Sequence, residues 1–222
     1  MLGEVEEAER LLIEGMQAAP NNANLKGAYW MLLVVSKRFE EAERVVHEMR
    51  ADYGDTAPDM IKRRFDFQLG MLAMIRRDFA AAREHLTSAI SEEENPAWSG
   101  DEIMILTLAS LALDQTGKSE ESATLLSDAQ RMIRRARLNG VDDPNIYYSE
   151  GIVLTLLNEP DAALQKLQQA YEKGFRESWV LDIDGRLDPL RDRPEFLLFK
   201  DQINNDVTRG LAEIRSLSLA AL

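Results

Sequence analysis

The stretch LGMLAMIRRDFAAAREHLTSA, residues 69–89, decides the fold. A helical run ends at Arg76, a polar turn follows, and Asp78-Phe79-Ala80-Ala81-Ala82 opens a second helix. Ala82, Leu86 and Ala89 then recur at i, i+4 and i+7, which puts them in one stripe of an α-helix. The same grammar returns along the chain, from Gly3 to Ala8, Lys37 to Ala42, Gly117 to Ser122 and Asn158 to Ala163. An apolar residue stands four places further on each time (Leu12, Val46, Leu126, Leu167), and Gly15, Met49, Ala129 or Ala170 stands three beyond that. Acidic residues at the start of these helices suit the positive end of the helix dipole.

Working outward, the helical stretches Leu25–Ser36, Phe65–Arg76, Ile103–Gln115 and Ile146–Leu157 precede the later copies of the motif. The chain therefore reads as helix A, tight turn, helix B, repeated. A small residue near the start of each B helix lets the two helices approach closely, and enlarging it is expected to cost about 1–3 kcal/mol through overpacking. From Ala8 through Ala42, Ala82 and Ser122 to Ala163 the steps are 34, 40, 40 and 41 residues. The long steps call for extended B helices in the middle repeats or longer joining loops. Asp52–Pro58, Glu92–Asp101 and Asn139–Pro144 carry loop composition.

These residues resemble the tetratricopeptide-repeat family. The match is fullest from Leu69-Gly70 through Ala82 to Ala89, and from Tyr147 and Gly151 through Ala163 to Ala170, with Pro20 where the family often ends a repeat. Trp30 departs from the pattern at a position usually small, Lys26 and Asp66 at positions usually aromatic, and Ser122 replaces alanine. The resemblance implies an all-α fold, a right-handed α-solenoid of antiparallel helix hairpins with a C-terminal capping helix. The array spans 1–174 as a half repeat at about 3–20 and repeats at 23–56, 63–96, 103–139 and 144–174, followed by a tail segment and long helix at 175–222. Because the first motif lacks a partner A helix, the chain is expected to be the C-terminal piece of a longer protein, or to have another element cover Leu11 and Leu12. A degenerate cap is the alternative.

Composition narrows the function. The chain has 222 residues, 45% hydrophobic and 29% charged, with 26 basic against 39 acidic residues and a net charge of −13. That balance disfavours disorder and a polyanionic partner. Absent cysteine removes disulfides, zinc–thiolate sites and thiol nucleophiles. The two histidines, His47 and His85, form no zincin motif, and there is no Walker loop, nucleophile elbow or dinucleotide fingerprint. Asp182, Asp184 and Asp188 lack the calcium-loop pattern and fit turn and cap duties. Arg131, Arg134 and Arg135 share a helix face without interleaved aromatics. We therefore expect a non-enzymatic protein with no cofactor, no metal, no nucleic-acid partner and no membrane span, cytoplasmic by default with the periplasm left open.

In the family the A helices line a concave groove. Counting from the turns assigns to it Met31, Phe67, Met71, Met74, Leu111, Tyr148 and Ile152, a methionine-rich apolar surface suited to a peptide or amphipathic helix of a protein partner. The alternative is that they are core between neighbouring A helices. The lysines and asparagines of the family's carboxylate-binding members are absent from these faces, so a carboxylate clamp is not expected.

After Gly174 the tail Leu187-Asp188-Pro189-Leu190-Arg191-Asp192-Arg193-Pro194-Glu195-Phe196 is similar to the closing segment of many bacterial tetratricopeptide arrays. Those arrays often follow a winged-helix DNA-binding or nucleotide-cyclase domain. Neither effector is present, so what the resemblance leaves is a regulatory sensor arm as an alternative role. From Pro194, the residues Phe196, Phe199, Ile203, Val207, Leu211 and Ile214 recur at helical spacing on a rod of about 36 Å. They are expected to cap the last repeat, or to pair two copies into a homodimer.

Overall fold

A computed structural model of the chain describes residues 2–20, 22–91 and 100–220, without the side chains of 2–4, 215 and 217–220. The chain is an all-α solenoid of antiparallel hairpins, with no strand among the described residues. Helix α1 (Leu2–Ala18) packs against the first full hairpin, α2 (Ala23–Val35) and α3 (Phe39–Tyr53). Three more hairpins follow: α4 (Asp59–Ile75) with α5 (Phe79–Ala89), α6 (Gly100–Gln115) with α7 (Ser119–Leu138), and α8 (Pro144–Leu156) with α9 (Pro160–Glu172). The tail contributes the single-turn α10 (Val180–Ile183), a 3₁₀ segment at Gly185–Leu190 and the long α11 (Pro194–Ala220).

The turn within each hairpin is the same backbone device. Lys37, Arg77, Gly117 and Asn158 take φ of 59°, 59°, 77° and 60°. The next amide then donates back to the A helix: Arg38 to Leu33, Asp78 to Ala73, Lys118 to Leu113 and Glu159 to Leu154, at 2.8–2.9 Å. This is the Schellman closure, which satisfies carbonyls that a helix end leaves orphaned. The B helices then begin on favourable chemistry. Asp78 accepts from the Ala81 amide, Glu40, Glu41, Glu120 and Glu121 occupy first turns, and Pro160 sits in the first turn of α9.

Close packing depends on the small residues. A Cβ built on Gly70 would lie 2.6 Å from Leu86 Cγ, and one on Gly151 would lie 2.9 Å from Leu167 Cδ2. At the equivalent place in α6, Ser110 faces Ser122 with the hydroxyls 2.9 Å apart. Ala42, Ala82 and Ala163 are fully buried. Where Trp30 replaces the small residue, α2 and α3 approach along less of their length than α4 and α5 do.

The long repeat steps have different physical origins. The second full hairpin extends its first helix instead of its second: α4 starts at Asp59, six residues before the expected Phe65, and α5 has only 11 residues. The expected extended B helix is found in α7, with 20 residues. Most of the joining stretch expected at Glu92–Asp101 lies outside the described residues. Apolar side chains bury into four successive clusters along the array, as the nearest-neighbour packing of a solenoid dictates.

Candidate functional site

The first helices of the four hairpins share one wall. Residues of α2, α4, α6 and α8 line a cavity of about 860 Å³. Met31, Met60, Met71, Met74 and Met104 supply much of its apolar surface, with Trp30, Phe67 and Ile152. The opposite wall is the chain's own tail: Phe175, Glu177, Trp179, Val180 and Ile183 through Arg186.

Of the residues expected in the groove, Met31 is exposed at the rim, Phe67 and Met71 are half-buried, and Met74, Tyr148 and Ile152 are buried in the wall. Leu111 is a correction. It does not line the cavity but packs beside Leu108, Ala109 and Ala112. The α6 face that meets the groove runs through Met104, Ile105 and Leu108 instead. Tyr148 is also less available than expected: its ring stacks on Phe175 with centroids 4.4 Å apart, and its hydroxyl donates to Asp184 Oδ2 at 3.0 Å.

Asp184 belongs to a buried polar knot. Arg186 Nη2 lies 2.7 Å from Asp184 Oδ2, with the two side chains only 5% and 2% exposed. The Arg186 amide and Nε donate to Asp184 Oδ1 at 3.0 and 2.9 Å. Arg186 Nη1 donates to Thr107 Oγ1 at 2.6 Å, and that hydroxyl donates onward to the Ile103 carbonyl. Burial by itself would push the Asp184 carboxyl up, but the Arg186 charge and the hydrogen bonds from Arg186 and Tyr148 hold it below the usual carboxylate range. Burial likewise opposes a charged Arg186, and the Asp184 carboxylate keeps its pKa raised. Burial, then the Asp184 charge, pushes the Tyr148 hydroxyl well above its ordinary value.

The lining is not wholly apolar: Arg63, Arg64, Asp101, Glu102, Asn145, Ser149 and Glu177 also contribute to it. Trp30 Nε1 and Gln68 Oε1 are buried and have no hydrogen-bond partner among the described residues. Arg64 lies over Gly27, where a Cβ would meet its Nη2 at 2.6 Å. Burial pushes the Glu177 carboxyl up. Sequence reasoning missed the entire tail wall. The visible signal was the closely spaced Asp184 and Arg186 among Leu181, Ile183 and Leu187, a charge pair in an apolar stretch.

On α11, Phe196, Phe199 and Ile203 are buried in one cluster with Leu167 and Leu190, so this half of the helix caps the last hairpin. Val207 packs at the edge of that cluster, Leu211 is half-buried and Ile214 is 62% exposed. The polar ties to the array end nearby, where Tyr171 donates to Asp206 at 2.9 Å and Arg176 pairs with it at 3.2 Å. Asp182 pairs with Lys200, and Asp188 with Arg77 and Arg191.

The fold is that of a helical-repeat scaffold, with a mostly apolar cavity between its first helices and its tail. No family profile and no curated protein matches the sequence. Among solved structures the chain is similar to BtubC (BKLC) from P. vanneervenii, with a TM-score of 0.50 and 17% identity over 92% of this chain and 88% of that one. It is also similar to MamA, with a TM-score of 0.45 and 16% identity over 77% of this chain and 89% of that one. At such identity the likeness to BtubC concerns the fold alone. Among the described residues no helix is long and apolar enough to cross a membrane, and no group of three or more His, Cys, Asp or Glu side chains is placed to hold a metal ion.

Proposed function

We propose that the chain is a non-enzymatic protein-interaction module of tetratricopeptide type, which binds an apolar peptide or amphipathic helix in the groove between its first helices and its tail. The observation that carries this reading is the 860 Å³ cavity with five methionines in its lining. Methionine is unbranched and polarizable, so such a wall re-forms around different apolar side chains. The test is Phe67→Glu combined with Met71→Glu, both half-buried, so that two charges enter the groove without breaking the hairpin core. The variant is expected to fold and to lose the partners recovered by pull-down from the source cell. If it folds and retains them at full yield, the groove is not the binding surface.

A second reading is self-association through the far half of α11, favoured by its extension past Asp206 and the exposure of Ile214. Truncation at Pro194 would remove the buried Phe196, Phe199 and Ile203, so the informative cut falls after Thr208. Light scattering decides: a chain that is monomeric before and after the cut rejects this reading.

A further inference from the structure

We propose that copies of this chain join head to tail, the far stretch of α11 in one copy covering the open face of α1 in the next. This rests on the self-association reading above and names the surface that receives α11.

The other B helices show what such a surface needs. Their stripes, which begin at Ala42, Ala82, Ser122 and Ala163, are buried along their length beneath the A helix of the same hairpin. On α1 the matching stripe of Ala8, Leu12 and Gly15 is only half-buried. Among the described residues α2 is the one helix that packs closely on α1, and it covers one side. Leu11 marks the open side. It is 53% exposed, whereas Val45 and Leu125, at the same place in their own helices, are half-buried.

The far stretch of α11 has the form of an A helix. The polar ties of α11 to the array end at Asp206, and Thr208–Ala220 is as long as α2 or α8, of 13 residues each. The capping stripe of Phe196, Phe199 and Ile203 continues through Val207 to Gly210 at helical spacing. On the A helices, Gly70 and Gly151 let the B helix come so near that a Cβ would collide with Leu86 or Leu167. A Cβ on Gly210 would meet nothing within 4 Å. Within one copy this glycine weakens α11 relative to alanine, and no packing offsets the loss.

Charge selects which ends meet. Helix α1 carries Glu4, Glu6, Glu7, Glu9 and Glu14 against Arg10, whereas Thr208–Ala220 carries Arg209 and Arg215 against Glu213. Two copies of α1 repel each other, and unlike ends attract. The contact joins two different patches, so it is heterologous and leaves one of each at the ends of an assembly. One helix laid on another is small beside the roughly 1,600 Å² of a stable complex, so the association is weak and grows with concentration.

Sedimentation of the full chain from micromolar to millimolar concentration tests this. The average mass is expected to rise past two copies, and added salt should lower it. Leu11→Glu and Gly210→Glu each alter one exposed patch, and each should hold the chain at 25.1 kDa with the circular dichroism of the parent. Truncation after Thr208 should act as Gly210→Glu does. The two point variants mixed in equal amounts should form dimers and nothing larger, because α11 of the first still fits α1 of the second. A parent that stays at 25.1 kDa throughout overturns this contact and the self-association reading together. If Gly210→Glu dissociates the assembly and Leu11→Glu does not, self-association through α11 stands and the head-to-tail contact falls. A parent that stops at two copies, or a mixture of variants that stays monomeric, also overturns the head-to-tail contact. If Leu11→Glu alone acts, both fall.

Discussion

Replacing Gly70 by alanine should destabilise the chain, and the same replacement at Gly210 should stabilise it. Both glycines are helical, and in a helix interior alanine is favoured over glycine by about 0.8–1.0 kcal/mol. At Gly210 a new Cβ meets nothing within 4 Å, so that gain is realised. At Gly70 the Cβ falls 2.6 Å from Leu86 Cγ, 2.8 Å from its Cδ2 and 3.3 Å from its backbone nitrogen. Leu86 is fully buried and cannot swing away, so α4 and α5 must separate, an overpacking of about 2–3 kcal/mol. The net loss is about 1–2 kcal/mol, or about 2–8 °C in Tm for a chain of this length. Thermal melting followed by circular dichroism reads it directly. Leu86→Ala alone should cost about 2–5 kcal/mol, and combined with Gly70→Ala the pair should cost less than the sum by about 1–3 kcal/mol. A Gly70→Ala variant that melts above the parent, or a strictly additive pair, would refute the close-approach argument.

Lys37→Gly relieves a left-handed residue that carries a side chain and should add about 0.5–1 kcal/mol, whereas Gly117→Ala, the mirror experiment one turn class along, should lose about 1 kcal/mol in chemical denaturation. Arg186→Ala strands the buried Asp184 and should cost about 3–5 kcal/mol, while Asp184→Leu with Arg186→Met should come close to the parent. The two tail carboxyls respond to pH in opposite directions. The Asp184 pKa is depressed on folding, so its contribution is present above the unfolded value near 3.8 and is lost as pH falls through the lowered folded value. The Glu177 pKa is raised on folding, so the chain loses stability as pH climbs through it, and Glu177→Gln should raise the Tm at pH 7 but leave it unchanged at pH 3.

The hairpins were legible because their signals are local. A stripe such as Ala82, Leu86 and Ala89 specifies a helix face within three turns. Four Schellman closures at Lys37, Arg77, Gly117 and Asn158 need only residues within one turn of each site. Phase along each A helix also put Met31, Phe67, Met71, Met74, Tyr148 and Ile152 on one side, and all six are among the residues that line the cavity. The phase slipped on α6, where Leu111 points into the neighbouring packing and Met104 and Leu108 take the wall.

What the sequence by itself determined is therefore the all-α class, the repeat, the positions of the tight turns and the small residues that let paired helices touch. Each of these follows from contacts between residues close in the chain or exactly one helix apart, and repetition multiplies the signal. The tertiary structure decided where the tail goes. Arg77 meets Asp188 across 111 positions, Arg186 meets Thr107 across 79, and Tyr148 meets Asp184 across 36. Such contacts have no period and occur once, and they depend on the curvature that all the hairpins build together. Only the assembled solenoid brings that tail over the groove and makes a buried knot out of an aspartate and an arginine that, read along the chain, were an ordinary turn.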